Sequence, residues 1–132
     1  MLAVSASAET ALQAGLWEKI EKVTAEGGKP SSRSSSVCLK PGEADLERLL
    51  MMSDDEAKAR GCKKEVTQPG KGVVRMSLSC PANAEEPAMT VRLEVRFTTT
   101  TFEGTGTVET KPKDGAARTG TSALSGKRLG DC

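Results

Sequence analysis

Residues 62–80 read CKKEVTQPGKGVVRMSLSC. The strongest turn signal inside this stretch is Pro69-Gly70-Lys71-Gly72, and Lys71 stands midway between Cys62 and Cys80. Antiparallel strands folded about that midpoint set Cys62 opposite Cys80, Val66 opposite Met76 and Gln68 opposite Val74. Strand side chains alternate between two faces, so Val74, Met76, Leu78 and Cys80 share one of them. Both sulfurs then lie on the apolar face, close enough for a disulfide across the hairpin. A stapled β-hairpin is the expectation.

The other two cysteines are Cys38 and Cys132, leaving a second bridge between them if the first forms. Successive cysteines are 24, 18 and 52 residues apart, with no CxxC pair among them. Structural zinc ligands come as close pairs, so a four-cysteine zinc site is the weaker reading, beside that of free buried thiols. Two disulfides imply an oxidising compartment. They also suit a chain of 132 residues that is only 36% hydrophobic and 2% aromatic, for which a modest core needs staples.

Charge excludes some classes. The net charge is +1, without a basic surplus, and the aromatics are only Trp17, Phe97 and Phe102, which argues against nucleic acid. No apolar run is long enough for a membrane-spanning helix. There is no histidine, the usual general base at neutral pH. A Ser125–Lys127 dyad is conceivable, but many polar strands offer such pairs. Met51 and Met52 would suit a copper ion, yet adjacent helical residues diverge by about 100°. Asp54-Asp55-Glu56 lacks the spacing of a calcium loop and reads as a solvated helix end. No cofactor, no metal and no enzymatic activity are expected.

Outward from the hairpin, Met89, Val91, Leu93, Val95 and Phe97 alternate with Thr90, Arg92, Glu94, Arg96 and Thr98, a half-buried antiparallel strand. Phe102–Thr110 continues as a strand whose Gly104 and Gly106 mark a bulge or a close backbone approach. Asp114-Gly115 signals a tight turn back through Thr119, Thr121 and Ala123. Upstream, residues 15–23 form the first strand, Gly27-Gly28-Lys29-Pro30 breaks it, and Ser35–Leu39 is a short second strand. A helix begins at Pro41–Asp45 and runs over Leu46–Met52. Residues 1–13 are a flexible N-terminus or the remnant of a secretory signal ending in Ala6-Ser7-Ala8, and residues 14–132 form a single domain.

Gly15-Leu16-Trp17-Glu18, Val37-Cys38-Leu39, Gly61-Cys62, Ser79-Cys80 and Gly130-Asp131-Cys132 follow one another along the chain. This ordered set resembles the bacterial family called domain of unknown function 3617, small exported proteins with four cysteines. The resemblance spans about residue 14 to the end. It implies a β-rich fold and the periplasm, and it supplies no activity, cofactor or catalytic residue.

The fold expected is mainly β: an antiparallel meander of about seven strands in a barrel-like or strongly curved sheet, with one short helix and two disulfides. Ile20, Val37, Leu46, Leu49, Val66, Leu78 and Val108 belong to the expected core. A pocket under the helix, lined by Trp17, Leu50, Met76, Leu93, Val95 and Phe97, would accept an apolar or amphipathic envelope molecule, because small Gly104 and Gly106 face large side chains. The alternative is an interaction module with a solid core, docking on an envelope protein. The chain is expected to be a monomer.

Overall fold

The computed structural model describes residues 11–25 and 27–132. The Ala6-Ser7-Ala8 stretch lies outside the described residues.

The strands are β1 (Gly15–Ala25), β2 (Pro30–Leu39), β3 (Lys63–Gly70), β4 (Val73–Cys80), β5 (Ala88–Phe97), β6 (Thr101–Lys111) and β7 (Arg118–Gly130). They form one sheet in the order β2-β1-β7-β6-β5-β4-β3, and every neighbouring pair is antiparallel. β7 returns to pair with β1, which joins the β1–β2 hairpin to one end of the meander. The sheet does not close: β2 and β3 do not pair, so the barrel-like or strongly curved sheet expected from the sequence is an open sheet with two edges. The physical reason lies in the connection between those edges. Residues 40–62 carry two helices instead of one, α1 (Leu46–Leu50) and α2 (Asp54–Ala59). They contribute fully buried Leu46 and nearly buried Ala57 to the core instead of letting the edges meet.

Both helices have local causes. Asp45 caps α1 by accepting from the Glu47 N–H at 3.0 Å, so Pro41–Asp45 is a turn before the helix and not its beginning. Ser53 caps α2 by accepting from the Glu56 N–H at 3.1 Å. Asp54, Asp55 and Glu56 then fill its first turn, where acids complement the helix dipole. The acidic run thus starts a second helix instead of ending the first.

One face of the sheet is apolar. Trp17 on β1, Val74 and Met76 on β4, Leu93 and Val95 on β5, Phe102 on β6 and Leu124 on β7 form one cluster with Leu12, Leu39 and Leu46. Ile20, expected inside, is 39% exposed. It stands an odd number of residues from Trp17 and so points to the other face. That outer face is polar, with Arg92, Glu94 and Arg96 of β5 all exposed.

The hairpin pairs Val66 with Met76 and Lys63 with Ser79, as the midpoint at Lys71 requires. The register shifts between Thr67 and Gly70, so Gln68 does not face Val74. Gly72 carries a left-handed φ of 71° in the turn. β2 is longer than its sequence suggested: a strand begins at Pro30 although serine is a poor strand former, because β1 offers a full ladder from Thr24 to Gly15.

Candidate functional site

The four cysteines form Cys62–Cys80 and Cys38–Cys132, the pairing expected from the hairpin. The first staples β4 to the residue before β3. The second reaches across β1, from β2 to the residues after β7.

The six residues proposed to line a pocket do come together in the main cluster. Trp17 and Val95 are fully buried, Met76 and Leu93 nearly so, and Leu50 and Phe97 are half-buried. The Trp17 indole N–H donates to the Gln13 carbonyl at 2.8 Å, and its ring stacks on Phe102 with centroids 6.0 Å apart. Beside Gly104 and Gly106 the space is occupied. A Cβ on Gly104 would lie 2.8 Å from Val95 Cγ2, and one on Gly106 would collide with Leu93 Cδ2 and the Arg92 carbonyl. The glycines let β5 side chains lean across β6, which is the close approach read from the sequence.

Open depressions lie elsewhere. One of about 680 Å³ on the outer face is lined by Lys22, Glu94, Arg96, Glu103 and Ser125. One of about 430 Å³ lies on the inner face, lined by Val23, Ala25, Val108, Thr110, Arg118 and Gly120. A third, of about 400 Å³, lies between β2 and α1, lined by Lys19, Val37, Leu39, Glu43, Arg48 and Leu49. Ser125 and Lys127 share the exposed outer face of β7.

The two sheet edges are built differently, which periodicity alone did not reveal. β3 is guarded. It carries Lys63, Pro69 and an irregularity before the turn, devices that blunt edge pairing. Lys64 points inward from it, its ammonium donating to Asp54 Oδ1 at 2.9 Å and the Met52 carbonyl at 3.1 Å, and lying 2.6 Å from Glu47 Oε1. This lysine thereby ties both helices to the β3 edge. Burial by itself would lower its pKa, but the hydrogen bonds to Glu47 and Asp54, with their charges, hold it above the ordinary lysine value.

β2 has none of these guards. Its register with β1 is continuous from Pro30 to Leu39, its only proline is its first residue, and it contains no lysine. Five serines and Arg33 make up most of it, and Pro30–Ser36 is exposed. In an antiparallel ladder alternate residues turn their N–H and C=O groups away from the neighbour. On β2 those groups face outward, and among the described residues no main-chain group bonds to them. The 400 Å³ depression borders the inner side of this same strand at Ser35, Val37 and Leu39.

Among the described residues, no helix is long and apolar enough to cross a membrane. Comparison with curated proteins and with solved structures returns no match. The model of one family, described as a protein of unknown function (DUF3617), matches residues 12–132, and with the β-rich fold and two disulfides above, the chain belongs to that family.

Proposed function

We propose that this protein is a non-catalytic interaction module of the bacterial envelope, exported to the periplasm, that docks a partner along the open edge of β2. The observation that carries this reading is the asymmetry of the edges: β3 is guarded by lysines, a proline and an irregularity, while β2 keeps an uninterrupted register with β1 from Pro30 to Leu39 and carries one charge, Arg33, and a proline only at its start. Added strands take affinity from main-chain hydrogen bonds and specificity from neighbouring side-chain pockets. The depression between β2 and α1 supplies such a pocket. Two disulfides, which persist in oxidising compartments, support export.

The test is site-specific photocrosslinking in the native cell, with a photoreactive residue at Ser34 on β2 and, as the comparison, at Thr67 on β3. A discrete protein adduct from position 34 and none from position 67 is expected. No adduct from position 34, or equal adducts from both, sinks the reading.

A second reading, uptake of an apolar or amphipathic envelope molecule, is favoured by the mostly apolar depression at Val23, Val108 and Gly120. A ligand there needs no rearrangement. One among Trp17, Leu50, Met76, Leu93, Val95 and Phe97 would have to displace packed side chains. Titration with fatty acids, read by chemical-shift changes at Val23 and Val108, separates the two locations.

A further inference from the structure

We infer that the occupant of the β2 edge is an extended acidic segment of another protein, added as an eighth strand, and not a second copy of this chain. The inference rests on the edge-docking reading and goes on to name the partner's chemistry. Residues 29–40, KPSSRSSSVCLK, carry Lys29, Arg33 and Lys40 and no acidic residue, within a protein whose net charge is only +1. All three cations are exposed. Arg33 lies opposite Glu21 in register, yet no ion pair joins them among the described residues. The depression beside the strand adds Lys19 and Arg48 against one acid, Glu43. A strand laid along β2 would thus meet cations at both ends, at its middle and on its inner side.

Charge decides between occupants. Pairing β2 antiparallel with β2 of a second copy would set Lys29 near Lys40 at both ends, or Arg33 opposite Arg33 in a neighbouring register, with no acid on either strand. Like charges held opposite one another disfavour strand pairing. An incoming strand with acidic residues gains at each of the same positions. Its small inner-facing side chains would enter the depression bordered by Val37, Leu39 and Leu49. The serines, short and uncharged, leave the backbone reachable along the whole edge.

The experiment uses the full chain, isotope-labelled, with two capped ten-residue peptides of alternating threonine and glutamate or alternating threonine and lysine. The acidic peptide should slow amide exchange over residues 31–37 and bind about tenfold tighter than the basic one at low salt, with the preference shrinking as salt is added. The double variant Lys29→Gln/Arg33→Gln, both positions exposed, removes two of the three cations without adding an acid opposite Glu21 and should shrink the preference towards parity. Equal binding of the two peptides, or a basic preference, overturns the acidic assignment. Sedimentation showing a dimer with protected β2 amides overturns it in favour of self-association. No protection by either peptide, alongside a persisting crosslink from position 34, overturns the acidic partner but not the edge. Loss of that crosslink as well overturns both.

Discussion

At the scale of single residues, the core is set by side chains that occupy a neighbour's space. Gly126 on β7 is the register partner of Phe102 on β6, and a Cβ there would run into the Phe102 ring, which is 3% exposed. The ring lies over the glycine and stacks on Trp17. Gly126→Ala should therefore cost about 1–3 kcal/mol, the usual range for overpacking, and shift the fluorescence of Trp17. Urea titration followed at that tryptophan checks both; an unchanged midpoint would mean the ring relaxes freely. Lys64 makes a second test. Its side chain is 10% exposed and that of Glu47 21%, whereas Asp54 is 87% exposed, so the pair with Glu47 dominates. Lys64→Met keeps the apolar stem but removes the hydrogen bonds to acids, and should cost about 1–3 kcal/mol. The sign with pH follows from the raised pKa. The charged lysine's contribution is fully present below the ordinary value of 10.5 and is lost as pH rises through the higher folded value. Denaturation midpoints should thus fall more steeply above about pH 10.5 in the native protein than in Lys64→Met. Parallel pH profiles would remove Lys64 from that role.

At the scale of elements, the two bridges differ in reach. Cys38–Cys132 spans 94 residues and Cys62–Cys80 spans 18. In the chain-entropy model the long loop is worth about 4–5 kcal/mol and the short one about 3. Replacing Cys38 and Cys132 by serine should therefore destabilise more than replacing Cys62 and Cys80, as read by denaturant titration; the reverse order would show that the staples act mainly on the native state. The hairpin, the β5 alternation and the disulfide pairing were legible because each has a strict period or a symmetric turn. The second helix was hidden although its signal, Ser53 followed by Glu56, is present. The Asp54-Asp55-Glu56 run fits the end of one helix as well as the start of another. The full length of β2 is illegible for a different reason: a serine run has no periodicity and weak propensity, and only the ladder offered by β1 makes it a strand. The open edge, and with it the candidate site, was illegible for the same reason. It can now be probed by proline. Of Ser34 and Ser35, adjacent on β2, one N–H points toward β1 and the other outward. One of Ser34→Pro and Ser35→Pro should lower stability by breaking the ladder. The other should leave the melting temperature nearly unchanged and abolish the partner crosslink. Retention of the crosslink in the stable variant would contradict docking through the main chain.

At the scale of the molecule, the sheet is open, and its two edges govern its distribution of stability. From β1 through β7 to β4 each strand has a neighbour on both sides, while β2 and β3 have one each. β3 is held by Lys64, by both helices and by the Cys62–Cys80 bridge. Among the described residues, the side chains of β2 reach the core only at its lower end, where Leu39 is buried, Val37 packs on the core and Cys38 is bridged. Above Ser36 both of its faces are wet. A segment with few apolar contacts and solvated hydrogen bonds opens at low free energy, independently of global unfolding. Amides of residues 31–36 should therefore exchange with opening free energies of about 0–2 kcal/mol, while those of Leu93 and Val95 on β5 exchange only with global unfolding. Native-state hydrogen exchange across a low-denaturant series distinguishes the two regimes, because local openings are insensitive to denaturant. If the β2 amides exchanged with the global free energy, the strand would be as rigid as the core, and an edge poised to receive a partner strand would lose its dynamic basis. If they exchange locally while Val37–Leu39 stays protected, then the upper strand can adjust to an incoming partner while the disulfide end holds its register.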